Sequence, residues 1–349
     1  MAIKTYQEQI NAKSSLKLRE LIEQLPKFMK TYFIGIEQTT AARTKIAYAY
    51  DLSVFFYYLK TQNPDFRDTD LHDLPLSALE KLESTDFEEY LQFLKYYKRD
   101  GKEYINGERG IARKLSSVKS MYNYFCRNNL IKYNPVAIVK APKLHDKNII
   151  RLDVNEVSVL LDEVETGEKL TKSQQMFHDK TKNRDLALMT LLLGTGIRVS
   201  ECAGINLEDI DFENCAIKIV RKGGSESIVY FGDEVESALH DYYDQRIQMN
   251  NVSIDEHAFF LSLQKKRLSV RSIEKLVKKY SQLVTTMKKI TPHKLRSTYG
   301  TNLYQETGDI YLVADVLGHK DVNTTKKHYA SIDENRRRDA RNIVKLREE

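Results

Sequence analysis

The stretch "LALMTLLLGTGIRVSECAGI", residues 186–205, is an apolar run that meets two closely spaced glycines and then an arginine. A membrane-spanning helix needs about 20 consecutive apolar residues. This run is shorter, because Gly194 and Gly196 interrupt it. We therefore predict a buried helix that ends in a turn, within a mainly helical fold.

Arg198 follows this turn, and Glu201 lies three residues further along. On a helix the two side chains would share a face. A surface pair at this spacing contributes only ~0.3 kcal/mol. The apolar flanks favour instead a partly buried guanidinium, with Glu201 as its partner and donors left over for a phosphate.

The composition indicates a water-soluble globular chain with room for two domains. Of the 349 residues, 41% are hydrophobic and 30% are charged, and a single core rarely grows to this length. The polar N-terminus lacks the apolar segment of a secretory signal. Three scattered cysteines favour neither a disulfide framework nor a zinc site, and they suit a reducing cytoplasm. The net charge of +6 mildly favours a polyanionic partner.

Helical periodicity dominates the first part of the chain. Apolar stripes predict helices over about 15–33, 41–60, 85–98 and 110–131, so we expect an all-α first domain. In the last of these, Leu115, Val118, Tyr122 and Phe125 should face inward. The opposite face should carry Arg113, Lys114, Ser116, Ser117, Lys119 and Ser120. Such a face is either solvated or laid against DNA phosphates.

A linker and a mixed second domain follow. Asn134-Pro135 ends a helix, and the aperiodic residues after it place the domain boundary near 145. Asp153 and Glu156 resemble a capping box, and we expect the charged, irregular stretch over 164–185 to form a helix and a loop. Residues 215–231 predict a β-hairpin with Lys222 entering its turn. Ser269 is an expected N-cap, and the helix after it should expose Arg271, Ser272 and Lys275.

The remaining polar clusters suit phosphate chemistry performed by side chains. The chain has no HExxH sequence, Walker A loop or CxxC sequence. His293 and Arg296 lie three residues apart at a helix beginning at Pro292, where a phosphate could bind. His319 follows Gly318, and Tyr329 ends the stretch. Taken singly, these residues are more simply read as exposed polar groups and a packing tyrosine.

Taken together and in order, the motifs resemble the tyrosine site-specific recombinases, the phage integrase family that includes the Xer recombinases. The matching stretches are "LLLGTGIRVSEC", "VRKGGSE", "HKLRSTYGT", "DVLGHKDVNTT" and "HYA". The resemblance is strong over about 150–335 and looser before it. It implies a core-binding (SAM-like) helical bundle over 1–143, a linker over 144–150, and a mixed α+β catalytic domain over 151–335 with a small β-hairpin sheet. It also implies a tail over 336–349 that docks on a neighbouring protomer.

The resemblance also implies a role for each site residue. Tyr329 would be the nucleophile and would form a 3′-phosphotyrosyl link. Arg198, Arg296 and His319 would hold the phosphate. His293 would take the tyrosine proton, Lys222 would protonate the leaving 5′ oxygen, and Glu201 would orient Arg198. The family needs neither metal, ATP nor another cofactor.

The expected partner is double-stranded DNA carrying an inverted-repeat site. The resemblance implies a homotetramer on this DNA, or a heterotetramer with a related recombinase, and no association with membranes. Expected DNA contacts are Arg43, Lys45, Arg113, Lys114, Lys119, Arg271, Ser272 and Lys275. Resolution of chromosome dimers before cell division, integration or excision of a mobile element, and DNA inversion all stay open.

Two other functions fit parts of the pattern. A type IB topoisomerase uses similar groups to nick and reseal one strand without a defined site. A non-catalytic DNA-binding regulator could retain the same fold, although a degenerate member would be expected to lose one of the reactive residues. The tail could also be a frayed basic end with no docking role.

Overall fold

The computed structural model describes residues 6–145, 150–221, 224–253, 256–319 and 321–322. The described residues form two compact units, one within Met1–Lys147 and one within Asn148–Glu349. Helices dominate both units, which agrees with the predicted class. Among the described helices, none combines the length and the apolar composition that crossing a membrane requires.

Over its described residues, the first unit is a bundle of five α-helices. The helix expected over 15–33 is two helices, because Pro26 cannot donate a backbone hydrogen bond and disfavours helical geometry in the residue before it. The helices are α1 (Tyr6–Ile22), α2 (Met29–Gly35), α3 (Ala42–Gln62), α4 (Ser84–Lys95) and α5 (Glu108–Arg127).

A β-hairpin that the sequence analysis did not predict lies between α4 and α5. Strands β1 (Tyr96–Arg99) and β2 (Lys102–Ile105) pair antiparallel, with Tyr97 opposite Tyr104. Asp100 and Gly101 both have positive φ, at 52° and 70°. This is the backbone of a two-residue hairpin turn, for which Asp-Gly is a strong signal. The first unit is therefore not all-α, and the helix expected to reach residue 98 ends at Lys95.

The residues predicted to face inward on α5 are buried, but only some of those predicted to face outward are exposed. Leu115, Val118, Tyr122 and Phe125 are at most 1% exposed. Two residues assigned to the outward face, Lys114 and Ser117, are also buried. Both face Asp51 of α3, a carboxylate that is only 1% exposed: the Ser117 hydroxyl donates to it at 2.9 Å, and the Lys114 ammonium lies 4.0 Å away.

Over its described residues, the second unit has seven α-helices, most of which pack against one another, and a three-stranded antiparallel sheet. The sheet contains the predicted hairpin and adds a short third strand, in the order β3-β4-β5. Its strands are β3 (Ile210–Asp211), β4 (Ala216–Val220) and β5 (Glu226–Tyr230). The helices are α6 (Val154–Thr166), α7 (Lys172–Thr195), α8 (Val199–Gly204), α9 (Asp233–Ile247), α10 (Val270–Val284), α11 (Pro292–Thr307) and α12 (Ile310–Val316).

Helix starts in this unit follow the predicted caps. The Asp153 carboxylate accepts from the Glu156 backbone N–H at 2.8 Å, and the Ser269 hydroxyl accepts from that of Ser272 at 3.1 Å. The charged stretch over 164–185 combines loop and helix, as predicted, because α6 ends at Thr166 and α7 begins at Lys172. Thr171 caps α7 by accepting from Gln174, so most of the charged stretch is helical.

Helix α7 ends where the apolar stretch predicted. Leu188, Leu191 and Leu192 are buried in the core of the second unit. Gly196 then takes the left-handed conformation, with φ of 62°, and a Cβ atom there would lie 2.5 Å from Cδ1 of Tyr299. Both the backbone conformation and the close approach of Tyr299 therefore require glycine at this position. Arg198 follows this turn two residues later.

We expect Gly196→Ala to lower the free energy of unfolding by about 2–4 kcal/mol, from left-handed strain and overlap with the Tyr299 ring. Urea denaturation would measure the loss. Gly224→Ala is the matched control, because Gly224 also has positive φ but nothing lies within 4 Å of its Cβ position. An equal loss in both variants would contradict the proposed overlap with Tyr299.

Candidate active site

The predicted arginines of the second unit meet at the C-terminal end of α12. Gly318, which follows this helix, has φ of 60°. The Gly318 N–H bonds the Asp315 carbonyl at 2.8 Å, and the His319 N–H bonds the Ala314 carbonyl at 2.9 Å. These two bonds form a Schellman motif, a common end for a helix. The motif fixes the backbone of His319, the residue immediately after the glycine.

The last carbonyls of α12 accept hydrogen bonds from three guanidinium groups. Carbonyl groups at a helix C-terminus have no partner within the helix. Here Arg198 Nη2 bonds the Gly318 oxygen at 3.2 Å, and Arg296 Nη2 bonds the Leu317 oxygen. Arg221 donates to the oxygens of Leu317 and Val316, at 3.4 and 3.3 Å. The negative end of the helix dipole also favours these cations.

Glu201 holds Arg198, as the sequence predicted, but Arg198 lies just before the helix and not within it. Arg198 is the N-cap of α8 and has an extended backbone, with φ of −73° and ψ of 147°. One Glu201 oxygen accepts from the Arg198 backbone N–H and the other from Arg198 Nη1, both at 2.8 Å. The Glu201 side chain is 2% exposed and that of Arg198 is 31% exposed. The guanidinium is therefore fixed at one edge and open to solvent at another.

Arg296 is anchored more deeply than Arg198. It lies in the second turn of α11, and the residue is 5% exposed. Its Nη1 bonds the Gly196 oxygen at 2.5 Å. Arg296 therefore links the turn after α7 to the end of α12. Through these two bonds, Arg296 brings the turn at Gly196 and the turn at Gly318 into the same site.

Arg221 is a site residue that the sequence analysis missed. Its Nη1 lies 3.5 Å from a Glu201 carboxylate oxygen, and its side chain is 11% exposed. The pKa of Arg221 is lowered mainly by burial, and Glu201 opposes the shift. Strand periodicity could have located it, because Ile217 and Ile219 are buried on the inward face of β4 and Arg221 continues that alternation.

Of the remaining predicted site residues, the structure describes the two histidines but not the lysine or the tyrosine. His293 is exposed in the first turn of α11, which begins at Pro292 as predicted. His319 is partly exposed. Lys222, Tyr329 and the tail over 336–349 lie outside the described residues.

The cluster is cationic and suited to an oxyanion. The guanidiniums of Arg198 and Arg221 contact the buried Glu201 carboxylate, and that of Arg296 bonds backbone carbonyls beside them. Positive charge therefore exceeds negative charge among these four side chains. Guanidinium groups match the geometry of phosphate oxygens. No group of three His, Cys, Asp or Glu side chains in the described part of the chain could hold a metal ion.

The expected DNA contacts of the first unit divide into exposed and buried side chains. Arg43 and Arg113 are exposed, although Arg113 bonds Asp51. Lys119 donates to the Val139 oxygen at 2.7 Å. Lys45 and Lys114 are only 4% and 7% exposed, and Lys45 pairs with Glu37 at 2.5 Å. We therefore leave Lys45 and Lys114 out of the proposed DNA surface, because a buried ammonium cannot reach a phosphate.

Helix α10 carries the exposed polar residues predicted for the second unit. Arg271, Ser272 and Lys275 are exposed, while Ile273 and Leu276 are buried on the opposite face. The two faces follow helical periodicity. The first two turns of α10 thus present two cations and a hydroxyl to solvent.

Comparison with known proteins gives concordant matches. The model of the "Phage integrase family" matches residues 151–336. A tyrosine recombinase XerC from Caldanaerobacter subterraneus is 32% identical over 329 residues, covering 91% of this chain and 86% of that protein. A tyrosine recombinase XerS from Lactococcus lactis subsp. cremoris is 29% identical over 353 residues, covering 91% of this chain and 96% of the relative. The fold resembles that of a XerH site-specific recombinase bound to a palindromic difH substrate, with a TM-score of 0.65, 18% identity, and coverage of 95% and 94%.

We expect Glu201→Gln to lower the free energy of unfolding by roughly 1–3 kcal/mol, because two guanidiniums lose their shared counter-charge. Chemical denaturation would show the loss. The control is Glu226→Gln, which removes a carboxylate from an exposed pair with Lys218 at 3.6 Å. That change should alter stability by under about 0.5 kcal/mol. A loss for Glu201→Gln as small as the control's would show that the carboxylate does not organise the cluster.

Proposed function

The chain belongs to the phage integrase family of tyrosine recombinases, and we propose that it is a site-specific recombinase that cuts and rejoins DNA. The observation that carries the proposal is the convergence of Arg198 and Arg296 on the backbone that leads into His319. These are the residues that the family resemblance assigns to phosphate binding. They come from distant parts of the sequence and meet within the region that the family model matches.

In the proposed reaction, the Tyr329 oxygen attacks a backbone phosphorus of the DNA. A bond forms between this oxygen and phosphorus, and the bond from phosphorus to the 5′ oxygen breaks. His293 takes the phenol proton and Lys222 gives a proton to the departing oxygen, so the products are a 3′-phosphotyrosyl link and a 5′-hydroxyl. A free tyrosine has a pKa near ~10, and the nearby cations would favour its phenolate.

Charge develops on the two non-bridging oxygens during this attack. Fixed donors aimed at such charge are among the largest contributions to catalysis. Arg198 and Arg296 would supply these donors, with His319 adding another hydrogen bond. The contacts of both arginines with fixed carbonyls and Glu201 support this role, because they hold the guanidiniums in place before DNA binds.

Rejoining reverses the first step. The 5′-hydroxyl of a partner strand attacks the phosphotyrosine, and the tyrosine leaves with a proton. One phosphoester bond replaces another, so the exchange needs neither ATP nor hydrolysis. Two rounds pass through a Holliday junction and recombine two duplexes.

The exchange of two duplexes requires four protomers, so we propose a homotetramer or heterotetramer on an inverted-repeat site. The tail over 336–349 would dock on a neighbouring protomer. The chain covers 86% and 96% of the XerC and XerS relatives. Because these relatives are named Xer recombinases, we propose resolution of chromosome dimers in the cytoplasm as the role, rather than integration or inversion of a mobile element.

We expect wild-type protein, but not Tyr329→Phe, to form a covalent complex with DNA. Bound sequences would be selected from a random duplex library and resynthesised with a nick beside the cleavage site, so that the cut strand cannot be rejoined. A denaturing gel then shows the protein–DNA band. Tyr311→Phe is the matched control, because Tyr311 is 71% exposed in the same unit, and it should react as wild type does.

Each outcome of this assay separates the candidate functions. A covalent band that persists in Tyr329→Phe would overturn the assignment of the nucleophile. Binding with no band in the wild type would favour the regulator. Relaxation of supercoiled plasmids that lack the selected site would favour the topoisomerase.

We expect Arg271→Ala to weaken DNA binding and to lower the slope of log affinity against log salt by about 0.9, the value for one phosphate contact. Fluorescence anisotropy between 50 and 200 mM salt would measure the affinity and the slope. Over this range the affinity of a protein that contacts several phosphates falls steeply. Lys218→Ala removes a cation from an exposed ion pair on β4 and serves as the control. Equal slopes for Arg271→Ala and wild type would remove Arg271 from the DNA surface.

A further inference from the structure

Arg221 closes the base of the hairpin loop formed by β4 and β5. Its backbone N–H bonds the Ser225 oxygen at 2.7 Å, and its carbonyl accepts from the Gly224 N–H at 3.0 Å. Only three residues, 222–224, connect Arg221 to Ser225. The backbone of Arg221 is thus fixed within the sheet, next in sequence to Lys222.

The side chain of Arg221 reaches a second element, the end of α12. It donates to the Val316 and Leu317 carbonyls. A Cβ atom on Gly318 would lie 2.8 Å from Cζ of Arg221, so the guanidinium packs directly on the turn that leads into His319. Only glycine leaves room for this approach.

A third element, α8, meets the same guanidinium. Arg221 Nη1 lies 3.5 Å from one Glu201 oxygen, while Arg198 Nη1 bonds the other at 2.8 Å. The two arginines repel each other, and Asp315 adds a weaker attraction for Arg221. Arg221 therefore helps to fix the carboxylate that in turn fixes Arg198.

We propose that Arg221 is a positioning residue for DNA cleavage. It holds the hairpin base, Glu201 and the turn before His319 in one arrangement, and through them it sets Arg198 and His319. The proposal rests on the recombinase function proposed above. Arg221 need not touch DNA, since its donors bond protein carbonyls and its side chain is only 11% exposed.

A positioning residue should affect the rate of cleavage more than the binding of DNA. Partners that orient functional groups typically contribute 10–100-fold to activity. In Arg221→Ala, cleavage of the nicked duplex at saturating protein should slow by roughly that factor, while the dissociation constant stays within about twofold. Arg221→Lys keeps a charge but loses the planar fork, so it should recover part of the rate.

The experiment measures single-turnover cleavage and DNA affinity for wild type, Arg221→Ala and Arg221→Lys. Lys218→Ala is the control, because Lys218 lies on β4, the strand that leads into Arg221, and has an exposed side chain. Hydrogen exchange at the Gly318 and His319 amides should quicken in Arg221→Ala and not in the control. If Arg221→Ala proves poorly folded, the test uses Arg221→Lys instead. Its cleavage rate should then fall below that of wild type, while its affinity for DNA stays unchanged.

The outcomes separate this inference from the proposed function. Cleavage by Arg221→Ala at the wild-type rate would overturn the positioning role alone. A loss of rate that saturating protein restores would show a role in binding instead, which also overturns it. Failure of the wild type to form covalent product contradicts the recombinase function itself.

Discussion

The candidate active site depends on the carbonyl groups at the end of α12, which have no partner within the helix. A helix leaves its last carbonyls without internal partners. Here the carbonyls of residues 316–318, at the end of α12 and just after it, accept from Arg198, Arg221 and Arg296. The same contacts satisfy the helix end and hold three cations within reach of one another. Buried guanidiniums need such partners, since an unpaired buried charge is strongly disfavoured. Helix termination and the proposed phosphate site therefore share a single structural arrangement.

Two glycines make this arrangement possible. Gly196 and Gly318 both take the left-handed conformation, and a side chain at either position would overlap Tyr299 or Arg221 respectively. Gly196 also offers its carbonyl to Arg296. The backbone turns thus bring sequence-distant arginines together, while Glu201 supplies the negative charge that lets two of them approach. In the proposed mechanism, this prearranged positive charge stabilises the phosphorane-like transition state.

Sequence reasoning could predict the parts that follow local rules. The helical class, the caps at Asp153 and Ser269, and the hairpin over 215–231 are confirmed, because periodicity and capping act over a few residues. It missed the β1–β2 hairpin, although the Asp100-Gly101 turn was a usable signal. It assigned Lys114 to an exposed face, because nothing local to α5 reveals that Asp51 of α3 lies opposite. Arg221 escaped notice for the same reason, since its partners are about 20 and 95 residues away in sequence.

The central claim is that the cationic cluster serves a tyrosine that attacks DNA. The most direct test is mass spectrometry of the protein–DNA adduct after trypsin and nuclease digestion. Cleavage after Lys327 and Arg336 yields a peptide, residues 328–336, in which Tyr329 is the one tyrosine. We expect this peptide to carry the nucleotide through its 3′-phosphate. A nucleotide attached to a different peptide, or through a 5′-phosphate, would contradict it.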